Sequence, residues 1–293
     1  MTDSTAALTE AGLDYGAVYR HVAATLDEDL AWGPDATTIA TIGAEATGTA
    51  EIVSRQHGCL AGVPIAALAL EIMGERDGVE LEVEVLLGDG SVVKPGDVVL
   101  RATGPVRTLL TAERTALNYV SQLSGVATAT HDWMAALQGT DAVVRDTRKT
   151  VPGLRVLQKY AVRCGGGRNH RMGLGDAALI KDNHITATGS LTAAFTAIRE
   201  IFPDLPVEVE CDTLEQVREA VSVGAELVLL DNMDPATAAE AVKIARPAGV
   251  RTEASGGIVL ASAADYGATG VDFIAVGALT HSTTVLDLGF DLA

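Results

Sequence analysis

The sequence has few cysteines, few cations and no long apolar run. Its three cysteines, Cys59, Cys164 and Cys211, are odd in number and far apart, so they match neither a disulfide framework nor a zinc motif. This usage predicts a reducing, cytoplasmic location. The longest apolar stretch, residues 60–70, contains a glycine and a proline and falls well short of the ~20 residues that span a bilayer. Because the first residues also lack the basic region of a secretion signal, we expect no membrane partner.

Positive charge is scarce and unevenly distributed. Lys and Arg total 21 against 39 Asp and Glu, which gives a net charge of −18 and argues against nucleic acid as a partner. Eight of the 21 cations nevertheless fall within residues 145–171, where the only carboxylate is Asp146. We call residues 145–171 the basic segment. Its three consecutive glycines, Gly165 to Gly167, allow backbone to approach a ligand closely, so the segment predicts a binding place for a small polyanion.

The first part of the chain predicts an α+β domain. Period-two alternation of apolar and polar residues indicates strands with one buried and one wet face. The predicted elements are helices at 15–30 and 65–73 and strands at 49–54, 79–85 and 98–102. Together they indicate an antiparallel sheet with helices on one side, an open sandwich over residues 1–111 to which the tail 285–293 returns.

From residue 111 the pattern changes to helices alternating with short apolar strands. A long helix is predicted at 111–137. The predicted strands that follow it are 142–145, 177–180, 207–209, 227–230, 250–253 and 273–276. Such alternation is typical of parallel βα units, and the absence of a glycine-rich dinucleotide fingerprint favours a barrel over an open sheet. We therefore predict an α/β chain whose residues 112–284 form an incomplete barrel of about six strands and carry the catalytic site.

Each predicted strand is followed by polar residues or glycine. In chain order these are Arg148 and Lys149, then Lys181, Glu210, Asp231, Ser255 to Gly257, and Gly277 with Ala278. Catalytic residues of βα barrels gather at the carboxyl ends of the strands. Any one of these residues is explained more simply as the polar residue that ends its strand. All six strand ends taken together predict one site.

The residue types at these positions divide by chemistry. Arg148 and Arg171 present planar forks that suit carboxylates, whereas Lys149 and Lys181 are point charges that suit phosphate. Backbone N–H groups are expected to bind a phosphate at a helix that begins with Ser255, Gly256 and Gly257, and in the loop of Gly277, Ala278 and Leu279. Glu210 and Asp231 are suited to holding magnesium, binding sugar hydroxyls or stabilising a developing positive charge.

Seven motifs, in this order, resemble those of the quinolinate phosphoribosyltransferase family. They are ERTALN at 113–118, DTRKT at 146–150, GGG at 165–167 with NHR at 169–171, LIKDNH at 179–184, VEVE at 207–210, LLDN at 229–232 and SGG at 255–257. The resemblance extends over nearly the whole chain. It implies a transferase that converts quinolinate and phosphoribosyl pyrophosphate into nicotinate mononucleotide, pyrophosphate and carbon dioxide, a step of de novo NAD synthesis.

The same resemblance implies roles for individual residues. Arg114, Arg148, His170 and Arg171 would hold the two carboxylates of quinolinate, and Lys149 and Lys181 would reach between the substrates. Thr147 would also contact substrate, Glu210 and Asp231 would face the ribose, and the residues Ser255 to Gly257 and Gly277 to Leu279 would hold the 5′-phosphate. Mg²⁺ would enter with phosphoribosyl pyrophosphate, without a protein metal ligand. A homodimer with shared active sites is implied, in which Arg114 serves the neighbouring subunit.

Two other functions fit parts of the pattern. A lysine at a strand end opposite a phosphate site also describes a Schiff-base aldolase, with Lys181 as its nucleophile. Borohydride trapping of a substrate adduct on Lys181 would identify such an enzyme. A non-catalytic barrel that senses an anionic metabolite is the second alternative, and it gives no reason for Glu210 and Asp231 to stand among the cations.

Overall fold

The computed structural model describes residues 4–293, which divide into two compact units. The first unit contains the described residues up to 129 together with 156–166 and 283–293, and the second contains 130–155 and 167–282. One continuous helix, Val106–Ala136, passes from the first unit into the second. The chain therefore crosses residue 111, where the patterning changes, without a break in secondary structure.

The first unit is built on an antiparallel sheet, as predicted. Its elements in chain order are α1 (Ser4–Glu10), α2 (Tyr15–Leu30), α3 (Ala36–Thr41), β1 (Thr47–Ser54), β2 (Gly58–Cys59), α4 (Val63–Asp77), β3 (Glu82–Val85), β4 (Val92–Val93), β5 (Val98–Pro105) and α5 (Val106–Ala136). The last strand of the chain, Leu288–Leu292, pairs with β1, and the sheet order is last strand, β1, β5, β3. A separate two-stranded sheet joins β2 and β4.

Local sequence explains these elements. In β3, Val83 is buried while Glu82 and Glu84 are exposed, as period-two alternation requires. Helix α4 has ten of its 15 residues buried, and the carboxylate of Asp89 accepts from the backbone N–H groups of Gly62 and Val63 at its start, at 2.9 and 2.8 Å. Two predicted boundaries were wrong. β3 begins at Glu82 and not at 79, since residues 78 and 79 form the turn that ends α4, and α5 begins at Val106, directly after β5.

The second unit contains a six-stranded parallel sheet, which confirms the predicted strand number and direction. Its strands are β6 (Val143–Arg145), β7 (Ala178–Ile180), β8 (Val207–Cys211), β9 (Leu227–Asp231), β10 (Arg251–Ser255) and β11 (Phe273–Ala275). The helices from β7 onward are α7 (Asp182–Thr188), α8 (Leu191–Ile201), α9 (Leu214–Ser222), α10 (Pro235–Ala245), α11 (Ala263–Ala268) and α12 (Ala278–His281), with single 3₁₀ turns at Arg246–Ala248 and Leu260–Ser262. The final strand, Leu288–Leu292, is β12.

Hydrogen bonding orders the parallel strands as β6, β11, β10, β9, β8, β7. Strands β6 and β7 are the two ends of this ladder and do not pair with each other. Beside the free edge of β6, Arg145 forms an isolated parallel bridge with Arg168. This single bridge extends the pairing beyond β6, and the ladder has six strands where a complete barrel has eight.

The basic segment is divided between the units. Helix α6 (Arg155–Cys164) lies almost entirely in the first unit, where Lys159 is fully buried and Arg163 donates to the carbonyl of Ala11 at 2.7 Å. The expectation that all eight cations share one anion site is therefore wrong for these two. In the described part of the chain, no helix combines the length and hydropathy needed to cross a membrane.

Candidate active site

Asp146 joins the two ends of the basic segment that belong to the second unit. This buried carboxylate follows β6 directly, and it accepts from the backbone N–H of His170 at 2.9 Å and from the side-chain amide of Asn169 at 2.5 Å. The residues Asn169 to Arg171 are thereby held beside the loop that carries Arg148 and Lys149. The lone carboxylate of the basic segment thus organises the predicted cations.

The loops after β6 and β11 fit closely together. The hydroxyl of Thr280 donates to the backbone carbonyl of Lys149 at 2.8 Å, and the Thr147 hydroxyl accepts from the Lys149 N–H at 3.0 Å. A side chain at Gly277 would place its Cβ 3.1 Å from Lys149 Cδ and 3.4 Å from Thr147 Oγ1. The two loops therefore meet closely at this glycine, and Thr147, Lys149 and Gly277 form one group.

A second close approach joins the ends of β9 and β10. Asn232 adopts a left-handed conformation with φ of 53°, and its N–H donates to the carbonyl of Ser255 at 3.0 Å. Its side-chain amide donates to Asp231 at 2.7 Å. A Cβ at Gly256 would lie 2.3 Å from Asn232 Oδ1, so only glycine fits. Asp231 and Ser255 are the last residues of their strands, and they lie directly opposite each other in the sheet register.

Lys181 and Glu210 form an ion pair across β7 and β8. The lysine side chain is 45% exposed and the glutamate 13%, so the pair lies at the edge between core and solvent. His184 accepts from the backbone N–H of Lys181 at 2.9 Å and fixes the turn into α7. Together with the two loop contacts above, this pair brings predicted residues from all six strands to the carboxyl edge of the sheet.

Arg148 and Arg171 are held in an environment that favours an anion. Arg148 Nε is buried and has no hydrogen-bond acceptor among residues 4–293. Arg171 donates to the carbonyl of Ala177 at 3.0 Å. Burial and then the nearby charge of Arg148 lower the pKa of Arg171 below its usual value, against the opposing effect of Glu208. A bound carboxylate would relieve both the repulsion and the missing acceptor.

Comparison with known proteins identifies the family of this arrangement. Residues 35–124 and 126–291 match the family models described as quinolinate phosphoribosyl transferase, N-terminal and C-terminal domains. The chain is 50% identical to the carboxylating nicotinate-nucleotide pyrophosphorylase of Mycobacterium leprae over 269 residues, which cover 91% of this chain and 94% of that protein. The chain belongs to the quinolinate phosphoribosyltransferase family.

Two further relatives agree with that assignment. A probable carboxylating nicotinate-nucleotide pyrophosphorylase of Bacillus subtilis is 41% identical, with 90% of each chain covered. The solved structure of the nicotinate-nucleotide pyrophosphorylase from Francisella tularensis matches with a TM-score of 0.89 at 37% identity, over 96% of this chain and 98% of that one. The quinolinate phosphoribosyltransferase fold is therefore shared along nearly the whole chain.

The predicted phosphate-binding residues of this family member differ in how open their backbone N–H groups are. Leu279 is buried, and its N–H donates to the Val276 carbonyl at 3.4 Å, so neither its side chain nor its amide is open to a phosphate. The predicted helix start at Gly256 and Gly257 was wrong. Both glycines have positive φ, 97° and 60°, which no helix accommodates, and the next helical turn begins at Leu260. Their N–H groups, and those of Gly277 and Ala278, have no acceptor in the described part of the chain.

Arg114 belongs to the first unit, on α5. Its side chain is 63% exposed, and the ion pair found for it joins the adjacent Glu113 at 3.5 Å. Lys149, Lys181, Glu210, Asp231 and the other predicted site residues all belong to the second unit. The role implied for Arg114 stays a prediction.

Sequence reasoning missed a buried group of four ionisable side chains in this family member. Arg145 of β6 pairs with Glu253 of β10, and His170 Nε2 lies 2.8 Å from Glu208 Oε2 of β8 and 3.9 Å from Glu253 Oε1. The pKa of each glutamate is raised to about 7, mainly by burial and, for Glu253, also by the charge of Glu208. In the sequence, the alternating VEVE motif gave a signal for Glu208, but alternation with Val is also typical of a solvent-facing strand position.

Proposed function

We propose that this chain transfers the phosphoribosyl group of phosphoribosyl pyrophosphate to quinolinate and releases pyrophosphate and carbon dioxide, forming nicotinate mononucleotide. The observation that carries the proposal is the set of cations and open N–H groups at the carboxyl edge of the parallel sheet, in a chain of this family. Both substrates are polyanions, and the rest of the chain is acidic. The residues at this edge would therefore concentrate the substrates at one place.

The residue types at this edge support separate roles toward the two substrates. Arg148 and Arg171 suit the two carboxylates of quinolinate, because planar guanidinium groups bind carboxylates in a bidentate manner. His170 is 8% exposed and its ring nitrogens already contact the Arg171 N–H and Glu208, so it would act on the substrate through Arg171. Thr147 and Lys149, with the open N–H groups of Gly256, Gly257, Gly277 and Ala278, suit the phosphate of the ribose donor. Lys181, directly after β7, is paired with Glu210.

Chemistry at the ribose requires stabilisation of a positive charge. As the bond from C1′ to pyrophosphate breaks, the ribose gains oxocarbenium character, which the fixed carboxylates of Glu210 and Asp231 would stabilise. The ring nitrogen of quinolinate then attacks C1′, and the adjacent carboxylate departs as carbon dioxide. The electron pair left on the ring carbon is stabilised by the neighbouring positive nitrogen and takes up a proton from water. The protein needs to position and desolvate that carboxylate, which Arg148 and Arg171 would do.

Magnesium fits this site as an ion that enters with the pyrophosphate. Within residues 4–293, one group of three potential ligand side chains was found, His170, Glu208 and Glu253, and it is buried and already paired with Arg145. Such a place does not suit a cation that retains several waters. When bound, magnesium would neutralise part of the charge of the leaving pyrophosphate.

The transferase proposal is tested by release of carbon dioxide from carboxyl-labelled quinolinate. We expect labelled carbon dioxide only when phosphoribosyl pyrophosphate is present, with full activity in Lys243→Ala, whose side chain is 69% exposed on α10, and with little in Lys181→Ala. The transferase proposal would be refuted if labelled carbon dioxide were released without phosphoribosyl pyrophosphate. It would also be refuted if the pure protein released no labelled carbon dioxide with both substrates present. Borohydride should trap no adduct on Lys181, because the proposed transfer needs no covalent intermediate.

We further propose a cytoplasmic homodimer whose sites are shared, with Arg114 acting in the site of the partner subunit. The exposed guanidinium of Arg114 is available for such a role. Mixing inactive Arg114→Ala with inactive Lys181→Ala subunits should then restore activity to roughly a quarter of wild type, since random exchange makes half of the dimers hybrids with one intact site each. No recovery after verified subunit exchange would show that Arg114 serves its own chain.

A further inference from the structure

The four buried side chains Arg145, His170, Glu208 and Glu253 lie directly behind Arg171. We call them the buried tetrad. Their exposed side-chain fractions are 14%, 8%, 6% and 0% in that order, so water contributes little to their charge balance. Since an isolated buried charge is strongly unfavourable, the tetrad must be close to neutral.

Hydrogen bonds define the tautomer of His170. The backbone N–H of Arg171 donates to His170 Nδ1 at 2.7 Å, so Nδ1 carries a lone pair and no proton. The proton of a neutral imidazole is then on Nε2, which lies 2.8 Å from Glu208 Oε2. A doubly protonated ring would point an N–H at the N–H of Arg171. His170 is therefore the neutral Nε2–H tautomer.

With His170 neutral, the charges can be counted. Within the tetrad, Arg145 supplies one positive charge, so Glu208 and Glu253 balance it when they carry one negative charge and one proton, which leaves the charge of Arg171 available to a bound anion. The inner oxygens Glu208 Oε1 and Glu253 Oε1 are buried and accept from no donor in the described part of the chain. A proton held between the two carboxyls would satisfy this orphaned pair, and the raised pKa values of both residues agree with it.

Protons can reach the tetrad from the amino ends of the strands, through a cavity that Arg171 also lines. A cavity of about 110 Å³ at the amino ends of β8 to β10 is lined by Arg145, His170 and Glu208, and also by Arg171, Glu226 and Arg251. Its volume exceeds that of one water molecule, about 30 Å³. The charged groups that face Glu208 are thus Arg145, Arg171, Glu253 and, on its own strand, Glu210.

We propose that Glu208 and Glu253 share one buried proton and that Glu208, by orienting His170, positions Arg171 for the anionic substrate. The chain of contacts runs from Glu208 to His170 Nε2–H, and from His170 Nδ1 to the N–H of Arg171. Loss of the shared proton at alkaline pH would add a negative charge behind Arg171 and weaken anion binding. Glu208 is a positioning residue in this proposal, which rests on the proposed function only for the choice of quinolinate as the probe.

Two substitutions separate orientation from charge. Glu208→Gln retains an acceptor for His170 and offers an amide donor to Glu253, so it reproduces the charge of the singly protonated pair. We expect it to bind quinolinate within about threefold of wild type at pH 6.5 and up to about tenfold more tightly than wild type at pH 8.5, because it has no proton to lose. Glu208→Leu removes the acceptor and should weaken quinolinate binding about tenfold at both pH values.

Calorimetric titration of full-length protein with quinolinate measures these affinities. Glu226→Gln is the matched control, because Glu226 has a 58% exposed side chain and lines the same cavity, and it should follow the wild-type pH profile. An equal loss in Glu208→Gln and Glu208→Leu, or the same alkaline decline in Glu208→Gln as in wild type, would overturn the proposal.

Spectroscopy of the ligand-free protein keeps this test independent of the proposed reaction. ¹⁵N NMR of labelled histidine should show His170 as the Nε2–H tautomer in wild type and Glu208→Gln, and as a mixture in Glu208→Leu. Infrared spectra should show a protonated carboxyl at pH 7 that is absent in Glu208→Gln. If both signatures appear but labelled carbon dioxide is never released, the proposed function fails and the shared proton stands. If neither appears in an active enzyme, only the shared proton fails.

Discussion

Each unit contains an arginine between carboxylates, and the two networks differ in how the sheet brings them together. In the antiparallel sheet, Arg101 of β5 lies directly opposite Glu51 of β1 and Glu84 of β3, at 2.8 and 3.1 Å. In the parallel sheet, Arg145 of β6 reaches Glu253 of β10 across the intervening strand β11, with its guanidinium 4.6 Å from the centre of the Phe273 ring. The first network forms because its residues are direct neighbours in the strand register. The second forms because side chains from strands that are not neighbours meet in the interior of the second unit.

The two networks also differ in their access to water. Arg101 and Glu84 have side chains 41% and 57% exposed, so solvent screens their charges and the pairs add little stability. Glu253 is fully buried, and its charge is compensated only by its neighbours. Charges on the wet sheet can be removed singly, whereas those inside the parallel sheet form a set in which each depends on the others.

The largest expected effect is on stability. Arg145→Leu should lower the free energy of unfolding by about 3–5 kcal/mol, because it leaves a buried carboxylate uncompensated. Arg101→Leu, its counterpart on the wet sheet, should leave the transition nearly unchanged. Urea unfolding followed by circular dichroism measures both. Equal, small effects would mean that the parallel sheet screens its interior charges as well as solvent does.

Arg171, for which no ion pair is found among residues 4–293, should matter for binding instead. Arg171→Leu should weaken quinolinate binding by about 2–3 kcal/mol, roughly a hundredfold, with much less effect on phosphoribosyl pyrophosphate, because a charge-assisted bidentate contact is lost. Arg218→Leu, on the exposed face of α9, is the control. Isothermal titration with each substrate decides the matter, and equal losses for both would exclude a specific carboxylate contact.

The sequence predicted those features that a local pattern of residues determines, and it did not predict those that depend on tertiary packing. Six apolar runs identified the strands, because both faces of a parallel strand are buried. Residues at the strand ends were likewise predictable by position. Glu208 was not, since a glutamate within an alternating strand normally faces water, and only the tertiary arrangement of three strands shows that it faces inward. The division of the basic segment depended equally on packing, because α6 buries Leu157, Tyr160 and Val162 in the first unit.

The pH dependence of stability should also distinguish the networks. The pKa of Glu208 is raised to about 7 in the folded state, above its unfolded value of about 4.3. The stabilisation from its protonated form is therefore complete below pH ~4.3 and is lost as the pH rises through about 7. Between pH 5 and pH 8 the wild type should lose on the order of 2 kcal/mol more stability than Glu208→Gln.

Glu51→Gln on the wet sheet provides the comparison for that experiment and should follow the wild type. Urea unfolding at the two pH values gives the differences directly. If Glu208→Gln loses as much stability as wild type between pH 5 and pH 8, the buried carboxyl does not titrate in this range. The two networks would then differ in how buried their charges are, but not in their response to pH.

The smallest expected effect concerns a carboxylate of intermediate exposure, Asp231, at the end of β9. Its hydrogen bond from Asn232 fixes its direction without neutralising its charge. If it acts mainly on the charge that develops at the ribose, Asp231→Asn should lower the rate constant for chemistry about tenfold and leave quinolinate affinity unchanged, because a contact made only in the transition state does not contribute to ground-state binding. Single-turnover kinetics and titration separate the two quantities, and Asp265→Asn on the exposed side of α11 serves as the control. Normal turnover combined with weak quinolinate binding would assign Asp231 to substrate binding. The carboxylates at the strand ends and the buried carboxylates would then both act on quinolinate affinity and would differ only in where they lie.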